Sequence, residues 1–165
     1  MPYDATIERL ETQALFDLKG TRDAIQSWAG AALPAFPVRS NSRTDAGGTV
    51  LMHIGKDRWL LRADLATEAG LETALRPADA PPGISIVRVS DTLAFFRITG
   101  PDAAEVMAVA CPMDLHEDRF GTDAASFTEA FGLKALVTRC DGGFDLAVEQ
   151  SFGVMVQDYL SRVVR

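Results

Sequence analysis

The sequence predicts an α+β fold made of a duplicated unit, with antiparallel sheets and helices packed on one face. Three observations predict it. The apolar period switches repeatedly between two residues and three-to-four, the mark of alternating strands and helices. The stretches "LFDLKGTRDAIQSW" and "FFRITGPDAAEVMA" share one order of strand, glycine and helix. The stretches "MHIGKDRWLLRADLATEAGLETAL" and "LVTRCDGGFDLAVEQSFGVMVQDYL" both read as a hairpin followed by a helix. Together they describe an internal repeat of a strand–helix–strand–strand–helix unit. Hairpins with helices on one face give an α+β layer. A single domain of two pseudo-repeated halves, about 1–91 and 92–165, is expected.

The elements follow in order. "ALFDLKG" alternates and reads as a strand ending at Gly20. Thr21 is a helix N-cap for "TRDAIQSWAGAA", which places Ile25 and Trp28 on one face. Pro34–Gly48 is rich in Pro, Ser and Gly and reads as a loop. "TVLMHIG" and "RWLLRAD" form a hairpin about "GKD". In "TEAGLETAL" Leu71 and Leu75 are four apart, as on a helix. Arg76–Gly83 is a second loop, and "ISIVRVS", rich in branched residues, is a strand. The pattern then returns. "LAFFRITG" is a strand, and "PDAAEVMAVA" is a helix with Pro101 suited to its first turn. His116–Asp123 is a third loop. "ASFTEAF", "LKALVTRC" and "FDLAVEQ" are strands, the last two joined by a tight "DGG" turn, and "FGVMVQDYLSRVV" closes the chain as a helix.

Composition narrows the function classes. The 165 residues carry a formal net charge of -7, with 47% hydrophobic and 24% charged residues. A chain of this size buries enough surface to fold without staples. An acidic chain with no basic run is a poor ligand for nucleic acid or anionic membranes. No apolar run has the length of a membrane span. The opening "MPYDATIERLE" has no apolar core of a signal peptide, so a cytoplasmic location is expected. Cys111 and Cys140 read as small buried hydrophobes, not as a disulfide framework.

Few residues offer chemistry. The glycine-rich phosphate cradles of flavin, nicotinamide or nucleoside triphosphate sites are absent. The only histidines are His53 and His116, and no second ligand pair stands at zinc spacing from Cys111 and His116, so no metal site is expected. His53 in "LMHIG" reads as a hydrogen-bonded structural histidine. Cys111 ends a helix, where the dipole disfavours a thiolate nucleophile. Asp114 and His116, in "CPMDLHEDRF", are the weak catalytic candidates: a carboxylate can orient an imidazole that relays a proton. The plainer reading has Asp114 hydrogen-bonding the backbone of an irregular loop. Trp28, Trp59, Phe95, Phe96, Phe144 and Tyr159 read as core packing.

Four stretches then carry a resemblance: "LFDLKG", "IGKDRWLL", "VSDTLAFFRITGPDAAEVMAVACPMDLHEDRF" and "FDLAVEQSFGVMVQDYL". Together they resemble the gamma subunit of heterotetrameric sarcosine oxidase. Val89-Ser90-Asp91 and Cys111–His116 match the family pattern, with Met113 in place of its usual leucine. Lys56, Arg58, Phe127 and Glu129 depart from it. The resemblance implies a fold like part of the folate-binding domain of aminomethyltransferases. It implies a non-catalytic subunit, packed on the folate-domain-bearing alpha subunit of a complex that also has beta and delta subunits. That complex demethylates sarcosine oxidatively and passes the one-carbon unit to tetrahydrofolate, in sarcosine catabolism and one-carbon metabolism. FAD, FMN, NAD and tetrahydrofolate are expected on the other subunits, with no cofactor or metal in this chain. By a fainter likeness, Asp114 corresponds to an aspartate of the glycine-cleavage aminomethyltransferases. The alternative is therefore a stand-alone folate-binding, aminomethyltransferase-like one-carbon protein.

Overall fold

The computed structural model describes residues 2–165. The chain runs β1 (Thr6–Arg9), β2 (Gln13–Lys19), α1 (Arg22–Ala29), β3 (Arg43–Ala46), β4 (Thr49–Gly55), β5 (Arg58–Asp64), α2 (Glu68–Leu75) and β6 (Ser85–Arg88). It continues through β7 (Leu93–Thr99), α3 (Ala103–Ala110), β8 (Ala125–Ala130), β9 (Leu133–Cys140), β10 (Gly143–Glu149) and α4 (Gly153–Val163). It divides into two units. One is Gln13–Asp91; the other is Thr92–Arg165 with the segment ending at Thr12. That first segment thus lies with the second half of the chain, not with the half it begins.

In the Gln13–Asp91 unit the strand order is β3-β4-β5-β2-β6, with every pair antiparallel. Alternation sends Phe16, Leu18, Leu51, Trp59, Leu61 and Ile86 to one face. They form a core there with Ile25 of α1 and Leu75 of α2. Each such buried side chain stabilises the fold by about 1.5–3 kcal/mol. Thr21 caps α1, its Oγ1 accepting the Ala24 N–H at 3.3 Å. Trp28, half-buried, ties α1 to the end of α2 by donating its indole N–H to the Leu75 carbonyl at 2.9 Å.

The second unit repeats this plan. Its strand order is β1-β7-β10-β9-β8, again antiparallel throughout. Phe96, Ile98, Val137, Leu146 and Val148 pack with Val106 and Met107 of α3 and with Val156 and Leu160 of α4. Pro101 precedes this helix instead of entering its first turn, because the chain first bends so that the Ala103 N–H reaches the Gly100 carbonyl.

Two strands were not legible as such. β3 lies inside the segment expected to be a loop, Pro34–Gly48; its polar "RTDA" is an edge strand, held by backbone pairing to β4 and not by apolar alternation. β1 carries a single apolar residue, Ile7, and pairs with β7 from Thr6 opposite Thr99 to Arg9 opposite Phe96. β6 pairs with β2 in the corresponding register, Ser85 opposite Lys19 to Arg88 opposite Phe16. The strand leading into each repeat therefore completes the sheet of the other repeat. The repeat is one strand longer at its start than the sequence suggested, and longer again by β3 and β8.

This exchange explains two glycines. Gly20 and Gly100 end β2 and β7 with φ of +144° and +124°. A Cβ at Gly20 would lie 2.9 Å from the Gly83 carbonyl oxygen, and one at Gly100 would lie 2.7 Å from that of Asp4. Gly83 and Asp4 belong to the segments leading into β6 and β1, so each lead-in crosses the other repeat's glycine. Both the dihedral and the clearance demand glycine.

Candidate functional site

The Cys111–Phe120 segment leaves α3 as an irregular loop. Cys111 is buried, with Sγ 3.9 Å from Thr128 Oγ1. Asp114 is exposed, and its Oδ1 accepts the backbone N–H of His116 at 3.0 Å. His116 Nδ1 accepts the Asp118 N–H at 3.3 Å and stands 3.4 Å from an Asp118 carboxylate oxygen. With Nδ1 accepting, the neutral ring carries its proton on Nε2. The structure brings Asp114 to the backbone of the loop and the imidazole to Asp118. It does not join Asp114 and His116 side chain to side chain as a proton-relay pair. Among the described residues no three His, Cys, Asp or Glu side chains are grouped to hold a metal ion.

Arg139, near the end of β9, holds this loop. Its Nε donates to the Phe120 carbonyl at 3.0 Å, and its Nη2 donates to Leu115 and Phe120 carbonyls at 2.6 and 2.7 Å. The guanidinium lies over the Phe144 ring, 4.4 Å from its centroid. Leu115 and Phe120 are buried on either side of the exposed turn. The loop is thus fixed at two carbonyls by one cation, whose charge strengthens both contacts. The sequence signal for Arg139 is a lone cation inside the strand stretch "LVTRC".

A second polar feature lies on β7 and β10, which place Arg97 and Asp145 directly opposite each other. The pair is bidentate, Nε to Oδ1 at 2.8 Å and Nη2 to Oδ2 at 2.9 Å, and Asp145 is buried. Hydrogen bonding to this carboxylate holds the Arg97 guanidinium above its already high ordinary range, against the opposing cost of burial. In the other unit Arg58 makes the same two-fold contact with Asp17, at 3.2 and 3.1 Å.

Trp59 is in the core, as its strand position predicted, and only 4% exposed. His53 stacks on it, with ring centroids 4.1 Å apart and planes at 22°, and Phe36 meets it edge-on at 4.9 Å. His53 Nδ1 is 3.3 Å from the Arg39 carbonyl, the hydrogen-bonded setting expected of it. Beside this stack lies a cavity of about 380 Å³, assembled from residues far apart in the chain.

Comparisons with known proteins place this architecture. No family model matches the chain. It is 30% identical over 116 residues to the sarcosine oxidase subunit gamma of Corynebacterium sp. strain U-96, a stretch covering 70% of this chain and 55% of that one. The chain thus spans about half the length of this curated relative. A chain of the heterotetrameric sarcosine oxidase from Corynebacterium sp. U-96, solved in complex with pyrrole 2-carboxylate, superposes with a TM-score of 0.77 at 22% identity, over 98% of this chain and 86% of that one. The glycine cleavage system aminomethyltransferase T from Bartonella henselae superposes with a TM-score of 0.69 at 15% identity, over 96% of this chain and 46% of that one. The α+β fold shared with aminomethyltransferases, expected from the repeat and the resemblance, is the fold observed. The chain is a homologue of sarcosine oxidase gamma subunits and has the fold of a chain of that heterotetramer.

Proposed function

We propose that this chain is the non-catalytic gamma subunit of a heterotetrameric sarcosine oxidase. In this reading it packs on the folate-domain-bearing alpha subunit, in a cytoplasmic complex whose flavins, nicotinamide nucleotide and tetrahydrofolate sit on other subunits. The observation that carries the reading is the 30% identity to a gamma subunit over 116 residues. The one candidate acid–base pair is spent on loop backbone, and Asp114 keeps no contact with the imidazole of His116. Among the described residues no helix is long and apolar enough to cross a membrane.

A permanent subunit contact buries on the order of 2,000 Å² or more and is apolar at its centre, so it withstands salt. The test is to co-express the neighbouring genes with a tag on this chain and wash in strong salt. The alpha-like subunit should remain in the eluate, and sarcosine turnover should require the chain. Its absence from the eluate, or full turnover without this chain, overturns the proposal.

The alternative, a stand-alone folate-binding protein, draws on the likeness to aminomethyltransferase T, of which the chain spans 46%. Calorimetry of the chain with tetrahydrofolate separates the two. No binding is expected; binding that Asp114→Asn abolishes favours the alternative.

A further inference from the structure

We propose that the cavity beside Trp59 binds a small organic monocarboxylate with a flat apolar body, held by Arg22 and Lys56 over the Trp59–His53 stack. The cavity's volume, about 380 Å³, lies in the range of small-molecule sites. His53 and Trp59 are among its lining residues, and Pro37 and Val38 add aliphatic surface. Two cations line it, Arg22 and Lys56, against one carboxylate, Asp57.

Neither cation is neutralised. Arg22 spends one nitrogen on the Phe36 carbonyl, at 3.4 Å, and lies over the Phe36 ring; it has no carboxylate partner among the described residues. Lys56 has none either. In a chain of net charge -7, two such cations at one cavity are unexpected unless an anion completes them. The site is also pre-shaped. Lys56 sits in the β4–β5 turn, which is pinned where the Gly20 N–H donates to the Asp57 carbonyl at 2.9 Å. Arg22 opens α1, directly after the Thr21 cap. Asp57 selects against dense charge: a phosphate dianion meets its repulsion, whereas a single carboxylate can sit between the cations with its apolar body on the aromatic residues.

The test uses the full chain and follows the N–H spectrum, in which Trp59 gives one of only two indole signals. Benzoate is the probe, benzylamine its charge-reversed control and inorganic phosphate the bare-anion control. Benzoate should shift the Trp59 indole and the Ser40 and Lys56 amides in the millimolar range. Benzylamine should not, and phosphate should leave the indole unmoved. Arg22→Gln and Lys56→Gln, both at exposed positions, should each weaken benzoate about tenfold while the remaining spectrum keeps its dispersion. An unmoved Trp59 indole, equal response to benzylamine or phosphate, or unchanged affinity in both folded variants overturns the proposal.

Discussion

At the residue scale, the side chains that stand out hold the fold in place. Trp59 is the clearest case. It is buried between His53 and Phe36, so Trp59→Ala should cost about 3–5 kcal/mol, read from the denaturant midpoint at constant slope. A loss below about 1 kcal/mol would mean the indole is dispensable to the core. Arg139 presents a different physics. Its removal leaves the Leu115 and Phe120 carbonyls without their charged donor, and Arg139→Leu should destabilise by about 2–3 kcal/mol. Asp114→Ala removes one exposed hydrogen bond and should cost no more than about 1 kcal/mol. Ranking the three variants by chemical denaturation checks this order. Asp114 outranking Arg139 would reverse the account of the loop.

At the element scale, the exchanged lead-in strands explain sequence features that otherwise look incidental. Gly20 and Gly100 sit where another segment passes over the backbone. Gly100→Ala puts a methyl group against the Asp4 carbonyl and forces an alanine to a φ of +124°. A cost of about 1–3 kcal/mol is expected from the dihedral alone, with more from the contact. Gly142→Ala is the control. It also has positive φ, +72°, but no atom lies within 4 Å of its added Cβ, so it should cost less. Equal losses in thermal melts of the two variants would refute the close-approach argument.

At the scale of the whole chain, the unit containing β7–β10 is discontinuous in sequence. Its edge is closed by β1, whose Ile7 packs on the core of that unit. Removing residues 2–12 uncovers the outer edge of β7 and should destabilise that unit by on the order of 3 kcal/mol. Hydrogen exchange should show the loss first at the β7 amides that face β1, those of Arg97 and Thr99, opposite Glu8 and Thr6. Unchanged protection there would show that β1 only lies against the sheet.

Elements with a strong hydrophobic period or clear punctuation are legible in the sequence. Phe16–Leu18, Trp59–Leu61 and Phe96–Ile98 alternate because a sheet buries one face of each strand. Thr21 and Gly20 mark a boundary because a cap and a left-handed dihedral need those residues. Local chemistry also gave the repeat and the plain role of Asp114, since a short carboxylate two residues before an N–H closes its own turn. Long-range packing sets the rest. β1 and β3 are polar edge strands, formed by backbone pairing to a distant neighbour, and such pairing leaves no period. The exchange of lead-in strands, the grip of Arg139 on two carbonyls 19 and 24 residues away, and the meeting of Arg22, Lys56 and Trp59 at one cavity are all long-range. Each depends on where folding carries a side chain, which is set by packing of the entire unit and not by its neighbours in sequence.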